Sequence, residues 1–290
     1  TPWLSRFLLS DTAIAWLFLL PSLVGFSVFY AYPALRGVYI SFSDWDLLTD
    51  PNFIGVDNYA RLFQDEDFWN ALWVTVQYVL FNIPLQTVLA IIVAVMMDRL
   101  TRSIIVRGIL ILPWLLPNVV VGLLFLWLLD TRIGIINAAL QALGFSSVPF
   151  LGSVEFALPS IAGINMWLHL SYNSLLIFAG LQTIPKSVYG AAYIDGANEL
   201  RAFWHITLPL LRPVLVFVMV TSLIGSFQIF DTVAITTQGG PVNATEVINW
   251  FIFEHAFERF NMGYATAASV VLFLILVSIS IIQLRVFNAD

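Results

Sequence analysis

Six long apolar runs, almost free of charge, constrain this chain more than any other feature. They cover residues 13–32, 71–97, 108–129, 156–180, 210–235 and 264–284. A helix rises about 1.5 Å per residue and needs about 20 residues to cross a hydrocarbon layer about 30 Å thick, so each run has the length of a membrane-crossing helix. The runs are too long and too continuously apolar for the alternating strands, about ten residues each, of an outer-membrane barrel. Composition agrees. Of 290 residues 60% are hydrophobic and 10% charged, against about 25% charged in an ordinary soluble domain. The mean hydropathy is +0.89. Lipid has to act as solvent for much of this surface. The expected fold is an all-α integral membrane protein of six transmembrane helices over residues 13–290, after a short cytoplasmic segment at 1–12.

The loops orient the bundle. With the N-terminus in the cytoplasm, the inner loops hold Arg6, Arg99, Arg102, Arg107, Lys186, Arg201, Arg212 and Arg285. The outer loops hold only Arg36, Arg61, Arg132 and Arg259, and most of the acids. The excess of basic residues on one side places both termini in the cytoplasm. A net charge of −6 argues against a nucleic-acid partner. No cysteine is present, so there is no disulfide framework and no thiolate site. The chain has no G-x-x-x-x-G-K-[ST] loop, no H-E-x-x-H and no G-x-S-x-G. No catalytic residue and no metal site are therefore expected.

Polar residues inside the apolar runs carry the functional signal, because in hydrocarbon they are costly and usually face a cavity or the bundle interior. Pro113 and Pro117 predict a bend in the third run. Near it Trp114 and Asn118 are four apart, the spacing of one helix face. The fourth run has Asn165 and His169 at the same spacing, followed by Ser171, Tyr172, Asn173 and Ser174. The fifth has Ser222, Ser226 and Gln228, then Asp231 toward its outer end. Amides, hydroxyls and an indole on converging helices suit a neutral polyol or sugar, which offers hydroxyls to bond and a C–H face to stack. Hydrogen-bond glue between helices is the competing explanation of any one of them.

The inner loop 182–209 is long but does not read as disordered. Pro185 can open a helix. Asp195-Gly196 fits a helix stop, and a second short helix is expected from about Asn198, with Pro209 closing the segment. An interfacial helix on lipid and a docking element for a cytoplasmic partner both fit this pattern.

The run from Tyr189 to Pro213 resembles the cytoplasmic loop signature of binding-protein-dependent ABC importer permeases. Ala191, Ala192, Asp195, Gly196, Ala197, Ile206, Leu208 and Pro209 match it, whereas Gly190 stands where the family has a glutamate. Tyr32-Pro33, the stretch from Phe53 to Tyr59, Leu112-Pro113, Pro117 and the stretch from Thr237 to Pro241 extend the likeness to the carbohydrate-uptake class, which includes glycerol-phosphate importers. The resemblance implies a type I ABC importer permease core in a bacterial or archaeal cytoplasmic membrane. It implies a heterodimer with a second permease and two ATPase subunits that hold ATP and Mg, this chain holding no cofactor. It also implies an extracellular solute-binding protein that meets the outer loop at Gln238, Gly239, Gly240 and Pro241. By position, Trp114, Asn118, Asn165, Leu168, His169, Ser222, Ser226 and Ile229 would line the solute path, with Gln228 and Asp231 as further polar contacts. Residues 182–209 would be the coupling loop that carries motion from the ATPase. A glycerol-phosphate importer of the same build remains an alternative. An ion-coupled carrier would call for inverted repeats or coupling carboxylates, and neither is visible.

Overall fold

The computed structural model describes residues 11–100 and 103–287, so Arg6, Arg102 and nearly all of the 1–12 segment lie outside the described residues. The chain forms two compact units. The first comprises residues up to Gln64 together with Ile252–Leu272. It begins with α1 (Ile14–Ile40), a 27-residue apolar helix whose most apolar window has no buried residue. Residue 33 was expected to begin an outer loop, but the helix runs on to Ile40. The reason is local. A proline ring collides with the carbonyl four residues back, and a widened π turn at Ser27–Ala31 moves that carbonyl aside before Pro33.

After α1 comes a short antiparallel ladder, β1 (Ser43–Asp44) with β2 (Asn52–Phe53), in the register Ser43↔Phe53 and Asp44↔Asn52. This ladder is a small departure from an all-α chain. Its turn is organised by Asp46, whose Oδ1 accepts from the Leu48 amide at 3.0 Å, the Thr49 amide at 2.8 Å and the Thr49 hydroxyl at 2.7 Å. The Asn58 amide donates to the carbonyls of Ser41 and Ser43 at 3.0 and 2.9 Å. Gly263 passes so close to this ladder that a Cβ would sit 1.9 Å from the Ser43 carbonyl oxygen.

The second unit, Asp65–Phe251 with the residues after Leu272, holds the core. Its first helix is α2 (Glu66–Arg99), capped by the Asp65 carboxylate, which accepts from the Asp67 amide. The bend expected at Pro113 and Pro117 is real. Helix α3 (Ile104–Ile111) runs into a 3-10 turn at Leu112–Leu115, and α4 (Asn118–Leu128) leaves at 93° to it. Helix α5 (Val154–Gln182) is continuous through Pro159. Then come the loop helix α6 (Lys186–Ile194), α7 (Arg212–Phe227), α8 (Asp231–Thr236) and α9 (Met262–Phe287).

Among the described residues four helical stretches are long and apolar enough to cross a membrane, namely α1, α2, α7 taken with α8, and α9, and the bent α3–α4 pair makes five if it is one span. Helix α5 is about 43 Å long at about 1.5 Å per residue, ample to cross, yet it falls outside that set. Its middle is too polar, carrying Asn165, His169, Ser171, Tyr172, Asn173 and Ser174. Pro209 was expected to close the inner loop, but it sits in the first turn of a short helix, Leu208–Leu210. That short helix continues an unbroken helical stretch from Glu199, and the widened π turn at Phe203–Thr207 makes room for the proline ring, as at Pro33.

Packing in this unit is built around α2 and α5. Ala90, Ala94 and Met97 meet Ile177, Phe178 and Leu181, with Leu211 and Val218 of the α7 region closing the cluster. Here Gly180 lets two helices approach closely, since a Cβ would lie 2.9 Å from Val214 Cγ2 and 3.0 Å from Leu211 Cδ2. A second cluster joins Val121, Leu129, Ile164 and Leu168. Along α5 the polar residues from His169 to Ser174 lie between these two apolar anchors.

Candidate functional site

A cavity of about 230 Å³ opens in the second unit where two helix breaks meet two unbroken helices. One break is the 3-10 turn and Pro117 between α3 and α4. The other is Gln228–Phe230 between α7 and α8, where Phe230 adopts φ −147° and ψ −61°. The unbroken walls are α2 and α5. Helix breaks at membrane depth are tolerated where they line a cavity, because the freed backbone groups find solvent, ligand or neighbours. Here the Asn249 side chain reaches the freed Phe227 carbonyl at 3.5 Å.

The polar lining is arranged in pairs. Asn118 donates to Asp231 Oδ2 at 2.7 Å, tying the first residue of α4 to the first residue of α8. A carboxylate at a helix start also faces the unpaired amides of that first turn. The Thr232 hydroxyl donates to Asn165 Oδ1 at 3.2 Å, while Asn165 Nδ2 donates to the Ile161 carbonyl at 3.0 Å. Asn173 donates to Ser222 Oγ at 3.0 Å. His169 Nδ1 lies 2.9 Å from the Asn165 backbone carbonyl. A carbonyl only accepts, so Nδ1 carries a proton and, in the neutral ring, Nε2 is left as an acceptor. The Trp114 and Tyr172 rings stack at 4.7 Å with 15° between planes. Asp231 is the only carboxylate among the described lining residues, and none is Lys or Arg.

Nine of the ten positions expected on the solute path therefore line one cavity: Trp114, Asn118, Asn165, His169, Ser222, Ser226, Gln228, Ile229 and Asp231. Leu168 does not. It is buried in the cluster with Val121, Leu129 and Ile164. Trp114 and Asn118 do meet the cavity, but not as two residues on one helix face. They lie on opposite sides of the Leu116-Pro117 break, and the 93° bend brings them to the same space. The fifth run is also not one helix, since it breaks at Gln228–Phe230 without a proline or glycine. Sequence reasoning missed Tyr78, Asn82 and Gln86 of α2. The signal was present, as these are polar residues at spacing four within an apolar run.

The inner loop forms as two short helices. Helix α6 follows Pro185 and ends in a Schellman motif: Gly196 at φ +79° donates to the Tyr193 carbonyl at 3.2 Å, and Ala197 to the Ala192 carbonyl at 2.9 Å. Asn198 caps the next helix by accepting from the Arg201 amide at 2.8 Å. The Tyr189 hydroxyl lies 2.9 Å from Thr207 Oγ1, bridging the two helices. The Arg99 guanidinium donates to Glu199 at 2.5 Å, joining the loop to α2. Ala192 is buried, while Gly190, Ala191, Asp195 and Gly196 are exposed, and Gly190 faces open space. Ile206 and Leu208 are half-buried and Pro209 is exposed.

In the loop after α8, Gln238, Gly239, Val242 and Asn243 all have positive φ. The Thr245 hydroxyl donates to the Gly240 carbonyl at 2.6 Å, and the Thr245 amide to the Gly239 carbonyl at 3.1 Å. A Cβ at Gly239 would lie 2.9 Å from the Trp250 indole. The loop is a fixed shape rather than a slack connector, with Gln238 and Val242 exposed at its tip.

Comparison with known proteins adds the following. The family described as binding-protein-dependent transport system inner membrane component matches residues 86–288. The chain is 34% identical over 291 residues to the sulfoquinovosyl glycerol transport system permease protein of Agrobacterium fabrum, covering 99% of this chain and 94% of that one. It is 31% identical over 278 residues to the trehalose/maltose transport system permease protein of Thermococcus litoralis, covering 95% and 94%. It is 32% identical over 277 residues to the sn-glycerol-3-phosphate transport system permease protein of Agrobacterium fabrum, covering 94% of each. Among solved structures, a chain of a bacterial ABC transporter involved in the import of the acidic polysaccharide alginate superposes with a TM-score of 0.85 at 23% identity, covering 95% of both chains. That likeness is one of fold.

Proposed function

This chain belongs to the family of binding-protein-dependent transport system inner membrane components, and from that premise we propose that it is the permease subunit of an ATP-driven importer passing a neutral sugar into the cytoplasm. The observation that carries the solute class is the cavity lining. Amides, hydroxyls and a stacked Trp114–Tyr172 pair suit a polyhydroxylated ring. The single carboxylate, with no Lys or Arg beside it, opposes a phosphate ester. A glycerol-phosphate solute is the second reading, favoured by the relative named for sn-glycerol-3-phosphate.

In this reading the chain pairs with a second permease and binds no cofactor. Two separate ATPase subunits hydrolyse ATP with Mg, and an extracellular binding protein delivers the sugar to the loop at 238–241. Six spans, with α5 counted as one despite its polar middle, put both termini in the cytoplasm of a bacterium or archaeon. Residues 182–209 rest on an ATPase subunit. The stop at Gly196 and the cap at Asn198 make that loop stiff enough to transmit displacement. Alternating access then exposes the cavity to one side and the other in turn.

Two experiments test this. Replacing Gly196 with arginine is expected to uncouple the assembled complex, seen as loss of binding-protein-stimulated ATP hydrolysis in proteoliposomes. Full stimulation would overturn the coupling assignment. Replacing Asn165 and Ser226 with leucine is expected to cut sugar uptake at least tenfold. Unchanged uptake would remove those residues from the path, and uptake of sn-glycerol 3-phosphate in place of sugars would establish the second reading.

A further inference from the structure

Helix α2 contributes three polar side chains to the cavity, Tyr78, Asn82 and Gln86, each one helical repeat from the next. All three are nearly fully buried, with 2%, 3% and 3% of their surface exposed. Asn82 is partly satisfied. Its Nδ2 donates to Gln86 Oε1 and to Ser226 Oγ, both at 3.0 Å. Its Oδ1 is buried with no hydrogen-bond partner. The Tyr78 side chain is buried beside the same cavity, and its hydroxyl, which bonds no other described residue, is open to that cavity rather than sealed from it.

Among the described lining residues Asn82 Oδ1 is the one side-chain atom that is both fully buried and without a partner. Asn118 is paired with Asp231, Asn165 with Thr232 and Asn173 with Ser222. A buried polar atom without a partner is destabilising, and leucine would fill the place of Asn82 without that penalty. The unmatched atoms belong to neighbouring side chains on one face of one helix, and a single ligand spanning that face can reach both.

We propose that Tyr78 and Asn82 are solute-reading residues, each hydrogen-bonding one of two neighbouring hydroxyls of the transported sugar. A phenol can donate or accept, and a carboxamide oxygen accepts, which matches a diol in which one hydroxyl accepts and the other donates. Turning the Asn82 amide over leaves its NH₂ end unmatched instead, and a sugar hydroxyl accepts from that equally well. Gln86 and Ser226 act as positioning residues by holding the other end of the Asn82 amide. This inference rests on the sugar-importer reading and adds α2 to the walls that select the solute.

The test uses the complete complex, reconstituted with its partner permease, ATPase and binding protein. Radiolabelled maltose, trehalose and sucrose are the probes, followed by mono-deoxy analogues of whichever sugar enters. At saturating, sugar-loaded binding protein, Tyr78→Phe is expected to slow uptake of the parent sugar about five- to tenfold, the effect of one lost hydrogen bond. The parent should also lose its advantage over one particular deoxy analogue. Asn82→Ala should erase discrimination at the adjacent hydroxyl. Equal slowing of every analogue, or no change in either variant, would overturn the assignment while leaving the importer reading intact. Uptake of none of the sugars by the unmodified complex would overturn the sugar reading and this pair with it.

Discussion

At the scale of single residues, the clearest electrostatic signature lies at the turn after β1. The Thr49 hydroxyl, then the Thr49 and Leu48 amides, hold the Asp46 carboxyl below its ordinary value of 3.8. A depressed carboxylate value means that the turn is fully ordered above the unfolded-chain value and loosens as pH falls through the folded one. Protection of the Leu48 and Thr49 amides from hydrogen–deuterium exchange, taken relative to an unstructured peptide at the same pH, should therefore hold down to about pH 4 and be lost only below the ordinary carboxylate range. Protection already lost at neutral pH would contradict this. The Asp46→Ala variant should show no protection at any pH. The same scale exposes the limits of spacing arguments. Trp114 and Asn118 were legible as candidates because polar and aromatic side chains in an apolar run are conspicuous, but the reason was wrong. A bend, not a shared helix face, brings them together. Leu168 had no chemistry of its own to recommend it, and it packs in the core.

At the scale of elements, punctuation in the sequence decided what could be read. The inner loop was legible because Pro185, Asp195-Gly196 and Asn198 each have one physical role, and the structure uses all of them. The break at Gln228–Phe230 was not legible, because no proline or glycine marks it. Tertiary contacts hold it, among them the Asn118–Asp231 hydrogen bond across the cavity. Two glycines in the loop make opposite predictions. Gly190 lies inside α6 with helical backbone and open space where a Cβ would go. Gly190→Ala should therefore stabilise that helix by about 0.5–1 kcal/mol. Gly196 sits at φ +79°, a region that L side chains rarely adopt. Gly196→Ala should cost about 1–2 kcal/mol. Thermal unfolding of the purified complex would show the two shifts in opposite directions. A shared sign would mean that the Schellman stop is not what ends α6.

At the scale of the whole chain, composition was enough to identify a membrane protein, and the apolar runs located its long helices, although the first helix runs eight residues past its run, to Ile40, and two runs hide breaks. It was not enough to count the spans. The more a helix is committed to lining a cavity, the less it looks like a span, and α5 is the case in point. Its polar middle, Asn165 to Ser174, is where the cavity lies. Charge distribution makes a prediction at this scale. With Asp231 facing the cavity and no basic side chain beside it, Asp231→Asn should ease the passage of an anionic competitor such as sn-glycerol 3-phosphate relative to a neutral sugar. Competition uptake in proteoliposomes measures that ratio, and a ratio unmoved by the substitution would mean that Asp231 takes no part in selecting charge.

Gly180 marks a near-backbone crossing of α5 with the start of α7, two residues before α5 ends and the inner loop begins. A side chain added there meets Val214 and Leu211 before it meets solvent, so the spacing of the two helices is set by the absence of one carbon atom. Gly180→Val should part α5 from the start of α7 and lower the thermal unfolding temperature of the purified complex, as overpacking costs about 1–3 kcal/mol. An unchanged temperature would mean that the crossing tolerates bulk.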